Sequence, residues 1–111
     1  MKRLKPNFKL WLEADGEPVM GEGRLGLLLA VRESGSLSEG ARRVGISYRH
    51  AYNLISAIGR RCGEGVVEAS VGGARGGGMR LTPAGERLIE DYLAYRTKME
   101  KAVRDLKWNR S

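Results

Sequence analysis

A run of polar and aromatic side chains near the middle of the sequence is its densest chemical feature. An arginine can donate two hydrogen bonds at once to guanine O6 and N7, and an asparagine can pair in the same way with adenine. Serine and tyrosine hydroxyls can bind phosphate oxygens. This composition favours contact with nucleic acid. The residues of the run are Ser47, Tyr48, Arg49, His50, Tyr52 and Asn53.

Each of these side chains also has a simpler interpretation. Arg49 is the first choice for base recognition, and the alternative is a contact to phosphate alone. Asn53 either pairs with adenine or faces solvent, and the tyrosines either contact phosphate or pack on the preceding helix. His50 is the only histidine, and without partner ligands it predicts neither a metal site nor acid-base catalysis. No Ser-His-Asp or Cys-His set is evident, so we predict a protein that is not an enzyme and has no cofactor.

Four more arginines are candidates for contacts to phosphates or grooves. Arg42, Arg43 and Arg80 are expected to bind backbone phosphates, which position a protein on DNA without reading its sequence. Arg75 lies in segment 72–78, where five of seven residues are glycine. This segment lacks the Lys-Ser or Lys-Thr pair of a nucleotide-binding loop. We therefore expect Arg75 at a hairpin tip, on the minor groove or on phosphates; the alternative is a flexible loop without a ligand.

The formal charge of the chain is +7 and is unevenly distributed. Residues 41–80 carry +5 and residues 1–9 carry +4, whereas residues 10–40 carry −4. The positive charge therefore concentrates in the segment that holds the candidates, which indicates an anionic partner. A purely solubilising role for the excess lysine and arginine is the alternative.

Three helices are expected to hold these side chains in place. The periodicity of apolar residues predicts a first helix that ends at Ser34 and a second that ends at Val44. Between the second and third helices lie only Gly45, Ile46 and Ser47, which is the spacing of a helix-turn-helix motif whose second helix is the recognition helix. The third helix is predicted to bury one stripe, formed by Ala51, Leu54, Ile55 and Ile58.

Two β-hairpins complete the predicted fold. Apolar runs at 8–12 and 18–20 flank Asp15-Gly16, a favoured hairpin turn. Runs at 66–71 and 79–81 flank the glycine-rich segment and predict a wing. The fold class is therefore mainly α with a small β component. It is a winged helix-turn-helix with an N-terminal β-hairpin and a long C-terminal dimerisation helix.

Thr82-Pro83 begins this last helix, which is expected to reach about Lys107. Its apolar residues follow heptad spacing over three repeats. The outer half would project beyond so small a domain, so a second subunit is the expected cover. We predict a DNA-binding domain over residues 1–82 and a dimerisation arm over residues 83–111. The interface would comprise Leu88, Tyr92, Tyr95, Met99, Ala102 and Leu106.

Cys62 is the only cysteine, which excludes a disulfide within the chain. We expect it to be a small buried residue. The alternative is a redox-sensitive thiol whose pKa is lowered by Arg60 and Arg61. The basic N-terminus is not followed by the apolar stretch of a signal peptide, and no apolar run is long enough to cross a bilayer. We therefore expect a cytoplasmic protein without membrane contact.

Several short motifs occur together between residue 8 and about residue 94. They are Gly35-Ser36-Leu37-Ser38, Ser47-Tyr48-Arg49-His50-Ala51-Tyr52, Val67-Glu68-Ala69, the segment 72–78, and Leu81-Thr82-Pro83-Ala84-Gly85. This combination resembles the N-terminal DNA-binding domain of the ModE family of molybdate-responsive transcriptional regulators, which is itself similar to LysR-type winged helices. The sequence has Tyr52 where the family often has tryptophan. It ends at Ser111, before the C-terminal molybdate-binding domain of direct sensors, so the resemblance implies DNA binding but not molybdate binding.

The sequence thus predicts a transcriptional regulator that binds specific double-stranded DNA as a homodimer. The recognition helix would lie in the major groove, and the glycine-rich wing would lie on the minor groove or on phosphates. One alternative is an architectural or chromatin protein that binds DNA without sequence preference. Another is an adaptor that recruits a separate oxyanion-sensing partner, such as a molybdate- or tungstate-binding protein.

Overall fold

The computed structural model of the protein describes residues 1–71 and 78–106. In chain order its elements are β1 (Leu12–Ala14), β2 (Glu17–Met20), α1 (Glu22–Ser34), α2 (Leu37–Val44), α3 (Tyr48–Cys62), β3 (Val67–Ser70), β4 (Gly78–Leu81) and α4 (Pro83–Arg104). The prediction of a mainly helical chain with two small hairpins is confirmed. In particular, α2 and α3 are separated by three residues, as the helix-turn-helix spacing requires.

The core is built around α1, which buries Leu27, Leu28 and Val31 completely. Side chains from every other helix and from β2 pack on it, and together they form one hydrophobic cluster. The contact between α1 and α2 is especially close. A Cβ atom at Gly40 would lie 2.9 Å from Val31 Cγ2 and 3.2 Å from the Val31 nitrogen. Glycine at this position therefore sets how near α2 can approach α1.

The N-terminal hairpin turns at Asp15 and Gly16, whose φ angles are +51° and +80°. Positive φ at both central residues is what an Asp-Gly hairpin turn supplies. The first strand begins only at Leu12, so the prediction of a strand from residue 8 is wrong. The preceding segment instead contacts α4, because the hydroxyl of Tyr92 donates a hydrogen bond to the Leu10 carbonyl at 3.1 Å.

The second hairpin pairs β3 and β4 in antiparallel register, with Glu68 opposite Arg80. One backbone hydrogen bond ties β4 to the end of α1, and a second extends the pairing of the two strands at the base of the hairpin. The Met79 N–H donates to the Gly35 carbonyl at 2.9 Å, and the Thr82 N–H donates to the Val66 carbonyl at 3.0 Å. This strand pair is therefore fixed to the turn between α1 and α2. Residues 72–77, between the strands, lie outside the described residues.

The last helix begins as predicted, with the Thr82 hydroxyl accepting a hydrogen bond from the Gly85 N–H at 3.1 Å. It ends at Arg104, slightly before the predicted end. At 1.5 Å per residue its 22 residues span about 33 Å. No helix in the described ranges is long and apolar enough to cross a membrane.

Cys62, the last residue of α3, is exposed, so the prediction that it is buried is wrong. The alternative of a thiol activated by neighbouring arginines is also contradicted. Partial desolvation of the thiol, followed by the charge of Glu64, raises the pKa of Cys62 above its ordinary value. A raised pKa reduces the thiolate fraction and with it the reactivity of the thiol.

Candidate nucleic-acid interface

The turn between α2 and α3 fixes the start of the predicted recognition helix. Gly45 adopts φ +78° and its N–H bonds back to the last turn of α2, which ends that helix. Ile46 packs against the core. Ser47 then caps α3, because its hydroxyl accepts a hydrogen bond from the His50 N–H at 3.0 Å. The glycine turn and the serine cap therefore fix where α3 begins and which side chains occupy its first turn.

The first two turns of α3 bring most of the predicted contact residues onto one exposed surface. The helix buries Ala51, Ile55 and Ile58 against the core, and Leu54 is partly buried beside them. The remaining side chains of this part face outward because they lie off the buried stripe. We call this surface the α3 face; its exposed residues are Tyr48, Arg49, His50, Tyr52 and Asn53.

The side chains of the α3 face are not engaged elsewhere within residues 1–71 and 78–106. Arg49 lies in none of the ion pairs there, and Asn53 forms no side-chain hydrogen bond. Tyr48 and Tyr52 expose 56% and 54% of their surfaces and lie outside the hydrophobic cluster. Their rings therefore do not pack into the core, and among the described residues the polar groups of the face have no ion pair or side-chain hydrogen bond. No cluster of three metal-ligating side chains occurs in the same residues.

The two arginines of α2 differ from Arg49 because acidic side chains already hold them. Arg42 Nε donates to Glu39 Oε2 at 2.9 Å, and Arg43 Nε donates to Glu39 Oε1 at 3.3 Å. Arg43 also lies 3.8 Å from the Glu33 carboxylate. The hydrogen bonds from Arg42 are the main reason that the pKa of Glu39 is lowered to about 2. We call these four residues the α2 cluster; their formal charges cancel.

Arg80 on the wing strand is held in a similar way. Its Nε donates to the carboxylate of Glu68 on the paired strand at 2.9 Å. The acidic partners Glu39 and Glu68 were missed by the sequence analysis. Glu39 had a signal, since a glutamate three and four residues before two arginines on a helix predicts ion pairs. Arg75 lies outside the described residues.

The predicted interface residues of α4 fall into two groups. Tyr92 is completely buried in the core of its own subunit, and Leu88 is partly buried against the same core. Further along the helix the side chains are exposed, with 53% of Tyr95 and 40% of Met99 accessible. Ala102 is exposed as well. Leu106, 60% exposed, lies just beyond the helix end.

Tyr92 links three parts of the subunit. Its single hydroxyl proton lies between two acceptors, the Leu10 carbonyl and the carboxylate of Glu22 at the start of α1. Arg96 Nη1 donates to the same carboxylate at 2.6 Å. Burial, followed by the hydrogen bond with Glu22, raises the pKa of Tyr92 to about 12. The residue therefore has a structural role that heptad spacing alone did not reveal.

The fold and the α3 face together define a DNA-binding domain of a transcriptional regulator. Residues 23–86 match the family of bacterial regulatory helix-turn-helix proteins described as the lysR family. The chain belongs to this family. A crystal structure of the CbnR DNA-binding domain in complex with DNA is similar, with a TM-score of 0.58 and 25% identity. The match covers 75% of this chain and 90% of that one, and it confirms the predicted winged helix.

Two curated relatives agree with this assignment. The molybdenum-pterin-binding protein MopB of Rhodobacter capsulatus is 44% identical over 84 residues, which are 76% of this chain and 31% of that protein. The transcriptional regulator ModE of Yersinia pestis is 42% identical over 84 residues, or 76% and 32% of the two chains. The resemblance to the ModE family is thereby confirmed. The chain spans about a third of the length of these relatives.

Proposed function

We propose that the protein is a homodimeric transcriptional regulator that recognises a specific duplex DNA sequence through α3. The observation that supports this most directly is the α3 face, where a guanidinium, an amide and two phenol rings are exposed together at the start of one helix. An α-helix fits the major groove, and the first residues of the second helix reach base edges in this motif. The similarity to a domain crystallised with DNA supports the same orientation.

Within this proposal Arg49 reads a guanine and the wing contacts the minor groove or phosphates. Bidentate contact of an arginine with guanine contributes about 1 to 3 kcal/mol of discrimination against the wrong base. Ser47 keeps its cap and can also donate its hydroxyl hydrogen to a phosphate. Arg75 and Arg80 are the proposed wing contacts, and Arg42 and Arg43 contribute to the extent that Glu39 releases them.

The experiment begins with selection of bound sequences from a random duplex pool by the whole chain. Arg49→Ala should then lose discrimination at one base pair in each half-site while the rest of the selected sequence is unchanged. Arg60→Ala is the matched control, since it removes an exposed arginine from the C-terminal part of the same helix. A pool that yields no preferred sequence would instead indicate a non-specific architectural protein.

The outer part of α4 is the proposed dimer contact. Tyr95, Met99 and Ala102 lie on one side of the helix, beyond Leu93, where packing on the subunit's own core ends. This supports an arm that begins after Leu93 rather than at Pro83. Two subunits joined there would place two recognition helices on half-sites about 34 to 36 Å apart, or a multiple of that distance.

Sedimentation equilibrium of the whole chain tests the dimer. Met99→Glu places a carboxylate in the proposed contact and should yield a monomer at micromolar concentration. Thr97→Glu adds the same charge on the opposite side of α4 and should leave the dimer intact. Equal masses for the two variants would argue against this contact.

A role for molybdate or tungstate is the most distant part of the proposal. It is supported by the name of MopB and the identity shared with it. A separate oxyanion-binding protein is the proposed partner. Calorimetric titration of the purified chain with molybdate should show no heat of binding, whereas a saturable heat would mean that this chain binds the anion itself.

A further inference from the structure

The α3 face contains a notch with two aromatic walls. Tyr48 and Tyr52 are four residues apart and therefore lie one above the other on the same side of the helix. The space beside them measures about 290 Å³, and Arg49 and Asn53 complete its lining. The notch thus combines two rings with a guanidinium and an amide at the site where base edges are expected.

Within the part of the chain that the structure describes, the two rings have no packing role that would account for their exposure. Neither belongs to the hydrophobic cluster or to the residues packed against it. Each keeps more than half of its surface in contact with solvent. A single exposed aromatic residue needs no explanation, but two that share a notch with hydrogen-bond donors form a surface suited to a ligand with both apolar and polar groups.

Base edges in the major groove offer one apolar group, the C5-methyl of thymine, which lies next to the O4 acceptor of the same base. We infer that the notch between Tyr48 and Tyr52 receives this methyl group, and that the base it reads neighbours the guanine bound by Arg49. Asn53 can donate to the thymine O4 or bind the paired adenine. This inference rests on the proposed function and deepens it, because it names a second base feature that the same helix recognises.

The test replaces each thymine of the selected site in turn by deoxyuridine. This change removes the methyl group and keeps the base pair. At one thymine per half-site we expect the affinity to fall about fourfold, as loss of one buried methyl group implies. The expected position is next to the guanine whose discrimination is lost in Arg49→Ala. At all other thymines the ratio of affinities should stay near one.

Variants of Tyr52 and Tyr48 then assign the effect to the rings. Tyr52→Ala and Tyr48→Ala should bring the thymine-to-uracil ratio to about one. Tyr52→Phe keeps the ring without its hydroxyl and should retain the fourfold ratio. Circular dichroism and thermal melting of each variant check that it is folded. A phosphate contact by the hydroxyl would give the opposite pattern, in which Tyr52→Phe loses affinity equally for both DNAs.

Two results would overturn the inference, and they differ in meaning. A site that is bound specifically but shows equal affinity for thymine and uracil at every position refutes the methyl contact alone. Equal affinity for the selected site and for a scrambled duplex refutes the proposed function, and the methyl contact with it.

Discussion

The α2 cluster and the α3 face belong to one helix-turn-helix motif but hold their charges in different ways. In the α2 cluster, Glu39 accepts hydrogen bonds from both Arg42 and Arg43. On the α3 face, Arg49 has no ion pair within the described residues. An arginine that is already paired must exchange one anion for another when it binds phosphate, whereas an unpaired one gives up only water. The number of arginines in the segment therefore overstates its attraction for DNA.

Under the proposed function, this difference gives the motif two tasks. The α3 face keeps its donors available for base edges, which carry sequence information. The α2 cluster withholds positive charge from the non-specific, salt-dependent part of binding. Sequence preference depends on the ratio between specific and non-specific affinity. A glutamate beside two arginines can therefore raise the preference without contacting DNA.

The largest effect is expected from Gly40→Val, which disturbs the packing of α2 against α1. Both the α2 cluster and the α3 face depend on this packing. A side chain at this position would overlap Val31, including its backbone nitrogen, so α2 would have to move away from α1. Overpacking of this kind costs about 1 to 3 kcal/mol, or roughly 5 to 20 °C in melting temperature for a domain of this size. Thermal denaturation measures it. Gly26→Val is the control, because a Cβ there meets nothing within 4 Å, and similar losses in the two variants would contradict the packing argument.

The second prediction concerns the α2 cluster itself. Glu39→Gln removes the charge that holds Arg42 and Arg43, so affinity for random-sequence duplex DNA should rise several-fold at low salt. The slope of log affinity against log salt should steepen by about 0.9 for each phosphate gained. Fluorescence anisotropy at several salt concentrations measures both quantities, and preference for the selected site should fall.

The control for this variant is Glu90→Gln, which removes an exposed carboxylate from α4. Glu90 takes part in no ion pair among the described residues, so the change in net charge is the same while the α2 cluster stays intact. A salt slope that steepens equally in both variants would mean that net charge alone is responsible. An unchanged slope in Glu39→Gln would mean that α2 does not reach the phosphates.

Features that depend on neighbouring residues were predictable from the sequence. Residue types at fixed offsets predict the cap at Ser47, the left-handed backbone conformation of Gly45 and the start of α4 after Thr82. The structure has all three features. The exposure of the α3 face also follows, because the buried stripe determines which side of a helix remains outside.

Features that depend on tertiary packing were not predictable in this way. Tyr92 has the spacing of an interface residue, but the same spacing suits a helix that packs on its own domain, and α1 and the N-terminal segment in fact cover it. Residues 8–11 have a strand-like composition, but no strand among residues 1–71 and 78–106 pairs with them. Cys62 is apolar enough to be buried, yet it lies at the exposed end of α3.

A smaller effect should follow from Ser47→Ala, which tests whether the N-cap of α3 positions the α3 face. Loss of an N-cap hydrogen bond costs about 1 kcal/mol, so the melting temperature should fall by roughly 4 to 8 °C. Affinity for the selected site should fall as the first turn of α3 loosens. Ser38→Ala changes an exposed serine in the first turn of α2 and should have little effect. If the two variants melted alike, the cap would not be what positions the α3 face.

The smallest effect is a dependence on pH that belongs to the α2 cluster alone. Folding lowers the pKa of Glu39 from its usual 4.5 to about 2, so its ion pairs stabilise the folded state fully above about pH 4.5. This stabilisation is lost as the pH falls towards 2. The melting temperature of the wild type minus that of Glu39→Gln should thus be constant between pH 8 and about 5, and should shrink towards zero below pH 4. The corresponding difference for Glu90→Gln should show no such decrease.

Since Glu39 stays ionised throughout the neutral range, a change of pH within that range cannot release Arg42 and Arg43. The ratio of DNA affinities between the wild type and Glu39→Gln should therefore not change between pH 6 and 8. If it did change, another titrating group would be responsible.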